Sequence, residues 1–212
     1  MTFSIILIGA LIILSIFDVG EGIWQKVQLN KRWFIILLLV NLILYFVPNI
    51  TINGIVFTWV GFVLPTLFSV VILLGVRKKV DFVKIFINTL LSFSICIAYN
   101  LVTFDVYEQN IFQPYIILGI VLGIMPIIIQ KNPKCVYVSN TIGIILSELF
   151  FYFSRYSIYG EYYLTLGSEK VFCCLIVSFI VSSMLYFVLR KYKAFKLKRS
   201  LLKRERENSV NF

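Results

Sequence analysis

The chain has 212 residues, of which 60% are hydrophobic and 14% are charged, and its formal net charge is +10. A soluble domain has about a quarter of its residues charged, so this composition excludes an ordinary water-soluble fold and indicates an integral membrane protein. The chain has no histidine, which excludes mechanisms with a histidine general base and most metalloenzymes. Its four cysteines have no zinc-ligand spacing, so we expect no metal, no cofactor and no catalytic residues.

Seven apolar runs predict membrane-spanning helices, because about 20 residues are needed to cross roughly 30 Å of hydrocarbon. The runs lack the alternation of a lipid-embedded barrel, so the predicted fold is an all-α bundle of seven transmembrane helices. Residues 1–189 form the predicted transmembrane domain, and residues 190–212 form a basic cytoplasmic tail. The predicted spans are residues 3–24, 33–48, 55–76, 82–104, 114–129, 135–153 and 171–189.

The connecting segments alternate in charge along the chain. The segments after the first, third, fifth and seventh runs hold 18 of the 20 basic residues when Lys84, at the start of the fourth run, is counted with them, and the segments after the other runs hold 2. Because cytoplasmic segments of membrane proteins carry an excess of Lys and Arg, the basic side is predicted to be cytoplasmic. The N-terminus is then outside and the C-terminus is in the cytoplasm, in a multipass protein of the plasma membrane.

Polar residues recur at helical spacing in the sixth run. An ionised carboxylate facing lipid costs at least a few kcal/mol, so this stripe should face the bundle interior or water. Two interpretations stay open: Glu148 is the centre of a ligand-binding site, or it is protonated or paired with Arg155. The stripe consists of Asn140, Ser147, Glu148, Tyr152 and Arg155.

Other polar residues within the spans have a structural and a functional interpretation. Asn100, in the fourth span, is a further candidate for ligand binding, but interhelical hydrogen bonding explains it equally, as it explains Asn41 and Asn88. Asp18 and Glu21 lie at the inner end of the first span. They are candidates for an inner gate, or for an ion-pair cluster with the nearby lysines.

Two runs contain small or kinking residues in mid-span. Gly61 and Pro65 lie in the third run, and Gly119 and Gly123 lie in the fifth, just before Pro126. Helix packing and kinks are the preferred interpretation, with a substrate-lining role as the alternative.

The basic tail is predicted to bind anionic lipids of the inner leaflet. Each basic residue near such a surface contributes about 1 kcal/mol. The charge follows membrane topology, so we expect no nucleic-acid partner. The predicted lipid contacts are Lys191, Lys193, Lys196, Lys198 and Arg199.

Three short segments, Gly61–Pro65, Tyr137–Gly143 and Leu166–Phe172, carry a family resemblance. They resemble motifs of an uncharacterised family of multipass bacterial and archaeal membrane proteins, a domain of unknown function that is similar to the YphA-like proteins of spore-forming Gram-positive bacteria. In that family an Asp follows each of the last two motifs. Here the first acid is Glu148, one position early, and Cys173 replaces the second. The resemblance implies a multipass architecture and a bacterial plasma membrane, but no reaction.

These features favour a small transport or substrate-capture component. We expect a cavity among the first, fourth, sixth and seventh spans, with Glu148 at its polar centre, and partners that include the lipid bilayer and other membrane or ATPase subunits. A membrane assembly or interaction protein without a ligand, such as one that acts in sporulation, is the alternative. An intramembrane enzyme is the third hypothesis.

Overall fold

The computed structural model describes residues 2–16, 31–52, 55–103, 114–159 and 164–210. These ranges contain seven α-helices and three short strands, and a π-helical turn, Trp59–Val63, leads directly into the third helix. The helices are α1 (Thr2–Ile16), α2 (Lys31–Leu44), α3 (Leu64–Gly75), α4 (Lys79–Thr103), α5 (Pro114–Gln130), α6 (Pro133–Tyr159) and α7 (Glu169–Val210). The strands are β1 (Ile50–Ile52), β2 (Ile55–Phe57) and β3 (Leu164–Leu166).

Three of the described helices are long and apolar enough to cross a membrane. These are the segments Lys79–Val102 of α4, Pro133–Ser154 of α6 and Glu169–Lys196 of α7. Shorter apolar helices occupy Trp59–Gly75 and Tyr115–Gln130. The fold is therefore mostly helical, as expected for a membrane protein, whereas the count of seven spans and the orientation of the termini stay predictions.

The third apolar run is not one continuous helix. Its first residues form β2, which pairs antiparallel with β1 and parallel with β3 in a sheet of order β1-β2-β3. The all-α prediction missed this sheet. Its sequence signal is the Asn-Gly pair at residues 53–54, which separates two β-branched segments as in a two-residue hairpin.

The described connections between helices lie at two ends of the bundle. At the sheet end, the sheet joins the segment after α2 to the segment before α7. The start of α7 also contacts the start of α5 there, because the Lys170 ammonium lies 5.2 Å from the centre of the Tyr115 ring. At the opposite, basic end, the start of α4 and the start of α6 pack together through Ile85, Cys135 and Val138. The links α3–α4 and α5–α6, which are basic, share this second end, as the charge pattern predicts.

Small residues allow two pairs of helices to approach closely. A Cβ atom at Gly143 of α6 would lie 2.7 Å from the Ser92 Cβ of α4. On α5, a Cβ atom at Gly123 would lie 2.7 Å from the Val181 Cβ of α7, and one at Gly119 would be equally crowded. Such contacts let helix backbones approach in lipid, where no hydrophobic force drives helices together. They agree with the packing interpretation of the fifth run.

The last helix does not end at the predicted boundary between span and tail. α7 runs without interruption for 42 residues, to Val210. At 1.5 Å per residue its length is about 63 Å, roughly twice the thickness of the hydrocarbon core. The basic tail is thus a continuation of the last span rather than a separate segment.

Candidate functional site

Glu148 binds the backbone at the start of α7. Its Oε2 atom accepts a hydrogen bond of 2.8 Å from the N–H of Gly167. Gly167 has a φ of +73°, which favours glycine, and it lies in the turn between β3 and α7. The next residue, Ser168, begins α7 by accepting the N–H groups of Val171 and Phe172 through its carbonyl, at 2.9 and 3.2 Å. The carboxylate within the sixth run therefore anchors this turn to α6.

The π-helical turn packs directly on the same turn, in what we call the glycine contact between Gly61 and Gly167. A Cβ atom at either glycine would overlap the backbone of the other. Thr58 strengthens the contact, because its hydroxyl donates to the carbonyls of Leu166 and Gly167 and accepts the N–H of Gly61 at 3.2 Å. The first and third segments of the family resemblance thus touch each other, although 106 residues separate the two glycines.

The side chain of Asn140 forms hydrogen bonds with two neighbouring helices. Its Nδ2 atom donates to the Leu122 carbonyl of α5 at 2.9 Å, and its Oδ1 atom accepts from the Ser92 hydroxyl of α4 at 2.7 Å. Pro126 has no N–H, so the Leu122 carbonyl lacks its usual donor within α5. Asn140 supplies that donor from the neighbouring helix, and its side chain is fully buried.

Two other residues of the predicted polar stripe contact groups of α6 itself. The Ser147 hydroxyl donates to the Ile144 carbonyl of its own helix at 2.7 Å, and the Tyr152 ring lies 5.5 Å from the Phe153 ring. Asn100 is partly buried on α4. Arg155 lies within the range of α6, but its side chain is outside the described part of the chain.

The remaining predicted site residues lie partly outside the described ranges. Asp18 and Glu21 fall between α1 and α2, where the structure describes no residue. Lys191, Lys193 and Lys196 are exposed on α7. Lys198 and Arg199 also lie within α7, but their side chains are not described.

The bundle encloses a cavity of about 270 Å³ that the sequence did not predict at this place, and we call it the bundle cavity. It lies between α1, α2, α3, α6 and α7, so α2 and α3 replace the expected fourth span in its wall, and Glu148 does not line it. Among the described lining residues, three are polar, Asn41, Lys134 and Tyr137, and the others are apolar. The apolar lining is Leu11, Leu38, Leu64, Pro65, Phe68, Ile72, Phe172, Ile176, Phe179 and Ile180.

The bundle cavity reaches the outer surface of the helices. Phe68 lines it and is nevertheless 38% exposed, whereas Asn41 on the opposite wall is only 4% exposed. The opening beside Phe68 is on a face of α3 where Leu67 and Val71 are also exposed. In a membrane, such a face contacts lipid.

Within the described ranges, no group of three or more Cys, Asp or Glu side chains could hold a metal ion. The four cysteines, Cys96, Cys135, Cys173 and Cys174, are free and buried. They pack as small apolar side chains in the interior, and Cys96 and Cys174 belong to the same core cluster.

No protein-family model, curated protein or solved structure matches this chain. The likeness to the YphA-like family therefore stays a prediction from three short segments.

Proposed function

We propose that this protein is a small component of the bacterial plasma membrane that captures or transports a largely apolar ligand in the bundle cavity. Ligand sites are typically apolar concavities of about 300–1,000 Å³ with a few polar groups that orient the ligand. The bundle cavity, at about 270 Å³ and with three polar residues in its wall, is close to the lower end of that range.

The polar residues of the cavity suggest a ligand with one polar or anionic end. Lys134 lies at the basic end of the bundle, at the start of α6, and Tyr137 follows it one helical turn later. The ammonium group of Lys134 attracts an anion, while the phenylalanines along α7 suit an aliphatic body. An amphipathic molecule dissolved in the bilayer would reach this site through the opening beside Phe68.

We assign the ligand to the bundle cavity rather than to Glu148, because the Glu148 carboxylate binds the N–H of Gly167. Glu148 supports the cavity indirectly. The turn that it anchors leads into Phe172, which lines the cavity.

Filling the cavity with a larger side chain tests this proposal. Ile176 lines the cavity, whereas Val188, three turns later on α7, is 58% exposed on the lipid-facing surface. The probe is a diazirine-bearing fatty acid, photo-crosslinked to the full chain in nanodiscs and mapped by mass spectrometry. We expect crosslinks on the cavity walls of α3 and α7, lost in Ile176→Trp and kept in Val188→Trp. Equal crosslinking of both variants, or crosslinks only on exposed faces, would contradict the proposal.

The basic extension of α7 favours a second function, the recruitment of partners at the membrane surface. Arg190, Lys191, Lys193 and Lys196 are all exposed on a helix that continues beyond the predicted bilayer core. Anionic inner-leaflet lipids and partner membrane or ATPase subunits are the proposed partners. A chain that ends after Leu189 separates the two functions: it keeps fatty-acid crosslinking under the ligand proposal, and it loses every partner and phenotype under the assembly proposal.

A further inference from the structure

A second cavity, of about 170 Å³, opens at the sheet end of the bundle, and we call it the sheet-end pocket. It lies between the end of α2, the π-helical turn and the first residue of α7. Gly61 and Gly167, the two residues of the glycine contact, form part of its wall. None of the described residues lines both this pocket and the bundle cavity.

The side chains of the sheet-end pocket combine one carboxylate with two aromatic rings. Glu169 supplies the carboxylate, Tyr45 and Trp59 supply the rings, and Asn49 adds an amide. The Tyr45 hydroxyl hydrogen-bonds the Glu169 carboxylate, and the Trp59 indole N–H donates to the Pro48 carbonyl at 2.8 Å. These bonds hold both rings in position. A carboxylate has about four sites for accepting hydrogen bonds.

A carboxylate in the first turn of a helix is ordinarily explained by its interaction with the helix N-terminus. That interaction does not require the aromatic rings or the pocket around Glu169. The nearest basic residue in the sequence, Lys170, does not line the pocket, and its ammonium group lies over the Tyr115 ring. The described residues that line the pocket therefore include one carboxylate and two aromatic rings, and no lysine or arginine.

We propose that the sheet-end pocket binds a small organic ammonium ion. Ammonium groups are attracted to the faces of Trp and Tyr rings, and a neighbouring carboxylate adds a charge-assisted contact. A water molecule occupies about 30 Å³ of liquid, so a pocket of about 170 Å³ is several times too large for a bare metal ion but suits an ammonium that carries carbon substituents. The ammonium belongs either to a free amine or to a lipid headgroup.

The first experiment compares choline with its uncharged isostere, 3,3-dimethylbutan-1-ol, on the full chain in phosphatidylglycerol nanodiscs. Binding is followed by calorimetry and by tryptophan fluorescence. The two molecules have nearly the same shape, so a difference between them reports the charge. We expect choline to bind at least about tenfold more tightly than the alcohol. Equal binding of the two, or no saturable binding of choline up to tens of millimolar, overturns the proposal.

The second experiment removes the charge of the pocket. Glu169→Gln keeps the size of the side chain and should reduce choline affinity to about that of the alcohol. Asp81→Asn, in the first turn of α4 at the basic end, is the matched control and should leave affinity unchanged. Unchanged affinity in Glu169→Gln overturns the proposal. The comparison of choline with the alcohol uses the unmodified chain and decides the matter even if Glu169→Gln does not fold.

Nanodiscs of a choline lipid distinguish the two sources of the ammonium. If a lipid headgroup fills the pocket, phosphatidylcholine weakens the apparent affinity for added choline relative to phosphatidylglycerol. Equal affinity in the two lipids assigns the pocket to a free amine. Either result supports an ammonium site, and neither affects the ligand of the bundle cavity, which is tested separately by the Ile176→Trp variant.

Discussion

The hydrogen-bond donor that Pro126 removes from α5 predicts a measurable coupling between Asn140 and Pro126. In Asn140→Leu, the Leu122 carbonyl loses its donor and the Ser92 hydroxyl loses its acceptor. Interhelical hydrogen bonds in membranes average about 0.6 kcal/mol and reach about 1.7 kcal/mol, so the loss of both should lower the free energy of unfolding by about 1–3 kcal/mol.

The second substitution, Pro126→Ala, restores a backbone N–H that can donate to Leu122 within α5. In the Pro126→Ala background, Asn140→Leu loses the hydrogen bond with Ser92, but the Leu122 carbonyl still has a donor within α5. Its cost should therefore fall by about 0.6–1.7 kcal/mol, which is the coupling energy of the double-mutant cycle. The measurement is reversible unfolding in mixed micelles, titrated with dodecyl sulfate and followed by circular dichroism.

Asn88 provides the matched control, because its Nδ2 atom donates to the carbonyl of Pro126 itself, at 3.1 Å. That carbonyl remains in Pro126→Ala, so Asn88→Leu should be additive with it to within about 0.5 kcal/mol. If Asn140→Leu were also additive with Pro126→Ala, the Asn140 side chain would not compensate for the N–H that Pro126 lacks. If it abolished fatty-acid crosslinking without changing stability, Asn140 would be a ligand contact.

Two further predictions concern the turn before α7. Gly61→Ala should destabilise the protein by about 1–3 kcal/mol, because a Cβ atom there overlaps the backbone of Gly167. Gly75→Ala is the control and should be tolerated, because the space around Gly75 is open. Similar unfolding curves for the two variants would show that the glycine contact is not tight. Glu148→Leu should cost about 1–3 kcal/mol and speed hydrogen exchange at Gly167, while Glu148→Gln, which keeps an acceptor, should cost less. A Glu148→Gln variant that is stable but no longer crosslinks to the fatty acid would instead make the carboxylate part of the ligand site.

Hydropathy alone located most of the helices. α4 begins three residues before its predicted span and ends one residue before the predicted end, and α5 differs from its prediction by one residue. This agreement follows from the requirement that a chain in lipid satisfy its backbone groups within each segment, which makes a long apolar run a helix whatever its neighbours are. The grouping of the basic links at one end follows from the same pattern, because successive helices must alternate in direction.

The role of each polar side chain was decided by contacts between distant parts of the chain. Their spacing placed Asn140 and Glu148 in one stripe, yet Asn140 supplies the donor that Pro126 lacks in α5, and Glu148 binds the turn at Gly167. The spacing of residues along a helix defines a face of that helix, but it does not say which backbone groups on other helices lack a partner.

The composition of the chain indicated a membrane protein, and the length of its apolar runs predicted its helices. Tertiary structure alone decided that β3 pairs with β2, which glycines touch, and that the bundle cavity lies between α1, α2, α3, α6 and α7. Helix formation depends on groups within about four residues of each other. The cavities and their linings depend on packing between segments more than a hundred residues apart, for which a single sequence contains no local signal.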